Sequence, residues 1–104
     1  MSSAGDLVAS LLAVLEEERA AIRLLDGRGV SESAVKKADL AARLGALSPE
    51  ALGEAKDEIL VLRAELRRNG TLLAHARTCL RELSELAAAA RGAPRPGPQL
   101  RARL

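Results

Sequence analysis

The sequence predicts an all-α protein, and three observations lead to that prediction. Of the 104 residues, 67 are Ala, Leu, Arg, Glu or Lys, which are good helix formers, whereas the chain has only 5 Val, 2 Ile and 2 Thr. Apolar residues recur at steps of three and four along most of the chain. Phe, Tyr and Trp are absent, so the core must consist of Leu, Ala, Val and Ile. A chain of this length has room for one domain and not for two independent cores.

The first predicted helix runs from Ala4 to Asp26. Ser2 or Ser3 is placed to cap it, and Gly27 and Gly29 follow its end. Glu18 is the one charge that interrupts its apolar stripe. The stripe consists of Val8, Leu11, Leu15, Ile22 and Leu25, widened at the N-terminal end by Leu7, Leu12 and Val14.

A second helical segment is predicted over about 31–47. Its apolar series is one residue out of phase with the first, which predicts a break or a bend at Gly27-Arg28-Gly29. The members of this second series are Val30, Ala34, Val35, Ala38, Ala41, Leu44 and Leu47.

The third predicted helix begins at Ser48-Pro49-Glu50, because a capping Ser, a Pro at the first helical position and an acid form a typical helix start. From there it can run to Arg91, with Gly70 as a weak point through which the helix continues. Asn69 is the polar residue in its apolar series, and such a residue commonly fixes helix register. The series is Leu52, Ala55, Ile59, Leu62, Leu66, Asn69, Leu73, Ala76, Leu80, Leu83, Ala87 and Ala90.

Two architectures fit these segments. In a long antiparallel hairpin, the first two segments lie end to end against the third, which spans roughly 60 Å at about 1.5 Å per residue. In a three-helix bundle, residues 31–47 turn back at the glycines and cover the apolar face of the third helix. Either way, we expect one helical domain over residues 1–91. Residues 92–104, rich in Pro, Gly and Arg, are expected to form a flexible, disordered tail.

Catalytic and metal sites are not expected. With one Cys and one His, the chain lacks the ligands for a structural zinc site, and His75 and Cys79 are interpreted as an exposed imidazole beside a buried thiol. Glu16-Glu17-Glu18 is interpreted as a charge run on a solvated face. We therefore expect no enzyme, no cofactor, no metal and no small-molecule substrate.

The charge distribution also argues against a nucleic-acid partner. Residues 1–91 hold 13 Lys and Arg against 14 Asp and Glu, so only the tail is basic. The four arginines Arg91, Arg95, Arg101 and Arg103 are too widely spaced for a strong phosphate-binding patch. The uncharged run Leu7 to Leu15 is too short to span a bilayer, and the N-terminus carries Asp6 instead of a basic segment. We expect a cytoplasmic protein without membrane insertion.

The third helix carries more apolar residues than one partner helix needs. Leu72, Cys79 and Leu86 recur every seven residues beside the main series and widen its apolar face. This surplus either packs internally against residues 31–47 or binds an amphipathic helix of a protein partner.

The order of residues resembles that of the FlgN-type flagellar export chaperones over about residues 7–86. The first half offers Leu11-Leu12-x-x-Leu15-x-x-Glu18-x-x-Ala21-Ile22, then Asp26, Val30, Lys36-Lys37 and Leu40. The second half offers Asn69-x-x-Leu72-Leu73.

Members of that family bind C-terminal helices of the hook-associated (hook-filament junction) proteins and deliver them to the type III export apparatus. The resemblance implies a non-enzymatic chaperone with a client groove at Leu72, Leu73, Cys79, Leu80, Leu83 and Leu86. The alternative is a structural coiled-coil protein whose wide apolar face is covered by self-association into a homodimer.

Overall fold

The structure is a computed structural model that describes residues 3–92. Over these residues it contains four helices and no strand, so the all-α prediction is confirmed. The helices are α1 (Ala4–Arg23), α2 (Gly27–Gly45), α3 (Pro49–Glu54) and α4 (Lys56–Ala90). The predicted tail, apart from Gly92, lies outside the described residues, as does Ser2. No helix in the described range is both long enough and apolar enough to cross a membrane.

The predicted helix starts at Ser3 and Ser48 are confirmed. Ser3 and Asp6 form a reciprocal capping box, in which each side chain accepts a hydrogen bond from the backbone N–H of the other residue. The Ser48 side chain accepts from the Ala51 N–H, and Pro49 is the first residue of α3.

The break between the first two helices lies at residues 24–26, so its predicted place at Gly27-Arg28-Gly29 is wrong. Leu25 adopts a left-handed backbone conformation (φ 53°), which ends α1 and leaves its side chain half-exposed, outside the predicted core. Asp26 then caps α2 by accepting a hydrogen bond from the Gly29 N–H. Gly27 and Gly29 therefore belong to the first turn of α2.

The predicted continuous helix from Pro49 is interrupted at Ala55. This residue leaves helical geometry (φ −106°, ψ 22°) and is buried, and its N–H donates to the Leu52 carbonyl. Asp57 and Glu58 lie in the first turn of α4, where acidic side chains interact favourably with the helix dipole. From Lys56 the helix runs without interruption through Gly70, as predicted.

The backbone contacts divide the chain into two compact units, Met1–Leu73 and Ala74–Leu104. In the first unit, α2 runs antiparallel to α1: Gly29 approaches Ala21, Lys36 pairs with Glu17, and Leu40 and Leu44 pack near the other end of α1. The α4 residues of this unit run parallel to α1. The core contains Val8, Leu11, Leu15 and Leu62, flanked by Leu12, Leu40, Leu44 and Ile59.

The first unit therefore has the chain reversal of the three-helix alternative, but the alanines of α2 are exposed and do not cover α4 as that alternative expected. The predicted end-to-end arrangement of the first two segments does not occur, because the short turn at 24–26 reverses the chain before α2 begins.

Most of the apolar series predicted for α2 is exposed, and its member Leu44 packs against the core. Ser33 is the buried residue of α2, and Leu40, Lys37 and Leu44 are half-buried on the same side. Val35 is 72% exposed, and Ala34, Ala38 and Ala41 are also exposed. Small and polar side chains thus make the close contact between α1 and α2, and the alanines of α2 remain uncovered.

The predicted series along α4 is more buried in the first unit than in the second, although Leu66 in the first unit is 40% exposed. Leu62 and Asn69 are buried, whereas Leu80 and Leu83 are 45% and 56% exposed. The second unit is described as far as Gly92, whose positive φ (78°) follows the end of α4.

Two glycine substitutions are expected to change stability in opposite directions. Gly70→Ala should raise the free energy of unfolding by about 0.5–1 kcal/mol, because a Cβ there meets nothing within 4 Å and alanine favours the helix. Gly29→Ala should lower it by roughly 1–3 kcal/mol, because its Cβ would lie 2.7 Å from Asp26 Oδ2 and 3.0 Å from Ala21 Cβ. Urea denaturation followed by circular dichroism measures both values. If both substitutions changed the free energy of unfolding by the same amount and in the same direction, α1 and α2 would not approach each other closely at Gly29.

Candidate functional site

A buried polar network lies at the centre of the first unit. Glu18 is 1% exposed and Arg19 is 5% exposed, although α1 carries an acidic run here. The predicted solvated face is correct for Glu16 and Glu17, which are exposed, and wrong for Glu18. Glu18 follows Leu11 and Leu15 at steps of four and three, so it lies on the buried face of the helix.

Asn69 connects α4 to α1 through its side-chain amide. Its Nδ2 donates to the Leu15 carbonyl at 2.8 Å and to Glu18 Oε1 at 3.0 Å. Its Oδ1 accepts from Arg19 Nε at 3.0 Å. Asn69 is 1% exposed, so these bonds replace those that it would make with water. The predicted polar register residue therefore lies in the core, where its hydrogen bonds depend on one position of α4 along α1.

The charges of Glu18 and Arg19 are each balanced by residues of other helices. Lys37 Nζ of α2 lies 2.6 Å from Glu18 Oε2, in an ion pair whose angles fall short of a hydrogen bond. Arg19 pairs with Glu65 of α4, and also with Glu16 at 2.6 Å within α1. Three helices thus contribute to one network.

Several residues that carry the family resemblance meet in this network. Glu18, Lys37 and Asn69 come from three separate parts of the sequence and are brought together in the first unit. The partners Arg19 and Glu65 were missed by the sequence analysis, because opposite charges far apart in the sequence give no local signal of pairing. The network is a positioning element, since its two buried charged groups, Glu18 and Arg19, are held by partners within the first unit.

The six predicted client-binding residues fall into two groups. Leu72 and Leu73 are half-buried and belong to the first unit. The other four, all exposed, belong to the second unit and are called the C-terminal leucine face: Cys79, Leu80, Leu83 and Leu86. The expectation of a buried thiol is wrong, because Cys79 is a free, exposed cysteine.

The C-terminal leucine face is apolar and open to solvent. Leu80, Leu83 and Leu86 are 45%, 56% and 60% exposed and lie within two turns of α4. By the 3.6-residue period, the charged residues Arg81 and Glu85 of the same turns point to the other side of the helix, and Glu82 lies at the edge of the face, one turn before Leu86. Three neighbouring exposed leucines form the kind of apolar patch that marks a protein interaction site.

Metal-binding clusters are not found in the described part of the chain. Among residues 3–92, no three or more His, Cys, Asp or Glu side chains are arranged to hold a metal ion. His75 and Cys79 are both exposed on α4.

Two neighbouring lysines provide a matched test of the network. Lys37→Met should lower the free energy of unfolding by about 2–4 kcal/mol, because it leaves the buried Glu18 carboxylate without its cation. Lys36→Met removes an exposed pair with Glu17 and should change stability by less than about 1 kcal/mol. Thermal and urea denaturation measure both. A similar loss of unfolding free energy in the two variants would show that the buried Glu18 carboxylate is not stabilised by Lys37.

Comparisons with protein-family models, with curated proteins and with solved structures each give no match to this chain.

Proposed function

We propose that this protein is a non-enzymatic cytoplasmic chaperone that binds the C-terminal helices of hook-associated proteins for flagellar type III export. The client is an amphipathic helix, and its binding site is the C-terminal leucine face of α4 within the second unit. Binding keeps the client unpolymerised until it reaches the export apparatus.

The observation that carries this proposal is the exposure of Leu80, Leu83 and Leu86. Because these three leucines are 45–60% exposed, each loses roughly 1 kcal/mol of the free energy that full burial would contribute. A client helix with apolar residues at i, i+3, i+4 and i+7 would recover that free energy by covering the face.

The client's identity rests on the resemblance to the FlgN-type chaperones. Its support from the structure is the meeting of Glu18, Lys37 and Asn69, three residues of the resembling pattern, in one buried network.

The proposal is tested by titration calorimetry of the full chain against C-terminal peptides of the hook-filament junction proteins of its own organism. We expect binding with a negative heat-capacity change, the signature of apolar burial. Leu83→Glu with Leu86→Glu should weaken binding at least about tenfold per leucine, because interface leucines replaced by charge lose their burial and gain a desolvation cost.

The matched control is Leu60→Glu with Val61→Glu. These residues lie on the same helix and are 50% and 54% exposed, so the control adds the same charge at similar exposure outside the leucine face. It should leave client binding unchanged. Equal loss of binding in both double variants, or unchanged binding in both, would contradict the proposed site.

Sedimentation across a concentration series distinguishes the alternative of a structural coiled-coil protein. A stable homodimer that dissociates in the Leu83→Glu, Leu86→Glu variant and binds no client peptide would favour self-association. A monomer that binds the peptides supports the chaperone.

A further inference from the structure

A second apolar surface lies between α2 and α4 within the first unit. This α2–α4 groove encloses about 820 Å³ and is open to solvent. Leu11 of α1 lines it, with Leu44 from α2 and Ile59, Leu62 and Leu66 from α4. It contains none of the residues of the C-terminal leucine face.

Four of the six α2 residues that line the groove are small. Ala34, Ala38, Ala41 and Gly45 line it, and each is exposed. Small residues at steps of three and four allow the backbone of another helix to approach closely, while larger side chains on the opposite wall fill the remaining space. This geometry suits a helix lying along the groove, which would complete a four-helix arrangement with α1, α2 and α4.

The α4 rim of the groove is basic and unneutralised. Lys56, Arg63 and Arg67 follow one strip of α4, next to the groove residues Ile59 and Leu66 by helical geometry.

All three basic residues of the strip are exposed, and none takes part in an ion pair within residues 3–92. None has an acid three or four residues away on the helix, where a partner would normally lie. Among the residues that line the groove, the charged one is Lys37, which is already paired with Glu18, so the unpaired positive charge beside the groove is that of the basic strip.

We propose that the α2–α4 groove binds an acidic amphipathic helix of a protein partner, with apolar residues against the groove and Asp or Glu facing Lys56, Arg63 and Arg67. Burial of apolar side chains provides the affinity. The basic strip favours a helix that carries negative charges and fixes which side of that helix faces α4. A second copy of this chain fits the groove less well than an acidic helix. The apolar face that the second copy would insert, its C-terminal leucine face, is flanked by arginines as well as glutamates, and the arginines would be repelled by the basic strip.

The probe is a synthetic amphipathic peptide of about 18 residues, long enough to form a helix, with a leucine face flanked by glutamates and a single tryptophan. Its partner peptide is identical except that lysines replace the glutamates. The chain has no Trp, Tyr or Phe, so tryptophan fluorescence reports the peptide alone. We expect the acidic peptide to bind the full chain at least about tenfold more tightly than the basic one at low salt, and the difference to shrink as salt rises.

Two variants locate the peptide in the groove. Ala41→Glu places a charge on the groove wall and should abolish binding, whereas Ala42→Glu, at the neighbouring exposed position outside the groove lining, should not. Arg63→Glu with Arg67→Glu should reverse the preference between the two peptides. Circular dichroism confirms that each variant is folded.

Three results would overturn the proposal. They are equal binding of the acidic and basic peptides, no binding of the acidic peptide to folded protein, and a dimer that Ala41→Glu converts to monomer. The last would assign the groove to a second copy of the chain. Because the variants leave the C-terminal leucine face intact, binding of the hook-filament junction peptides is measured independently of these outcomes.

Discussion

The buried pair of charges on α1, Glu18 and Arg19, is the constraint on which the first unit depends. Removing a carboxylate and a guanidinium from water costs several kcal/mol each, so both need partners in the folded state. Those partners come from α2 and α4: Lys37 for the carboxylate, Asn69 for both groups, and Glu65 for the guanidinium. A core of a few Leu, Val and Ile side chains tolerates sliding of one helix along another, whereas this network does not. The register of three helices therefore follows from two adjacent residues of one helix.

Much of the fold was predictable because helix formation and capping are local. The composition gave the all-α class, and Ser3, Ser48 and Pro49 marked helix starts. The turn at Leu25 was misplaced because a non-glycine residue adopts the left-handed conformation there while the nearby glycines join a helix. For residues 31–47 the sequence left two arrangements open, because the contact of α2 with α1 uses Gly29 and Ser33 as well as Leu40 and Leu44 and has no single apolar pattern.

The candidate surfaces were predictable to different extents. Periodicity identified the exposed leucines of α4, because an apolar stripe is visible in the sequence whether or not anything covers it. The burial of Arg19 depends on long-range contacts and has no such pattern. The α2–α4 groove follows from the same apolar series that was expected to form core: the alanines of α2 are displaced from α1 and line an open surface.

The turn between α1 and α2 spans only residues 24–26, so these two helices can pair while the rest of the chain is still being synthesised. At that stage Lys37 already neutralises Glu18, but Arg19 has only the exposed Glu16 beside it. Its remaining partners, Glu65 and Asn69, leave the ribosome last among the residues of the network. The nascent hairpin thus holds an incompletely paired arginine, and its final packing is reached only when the first half of α4 arrives.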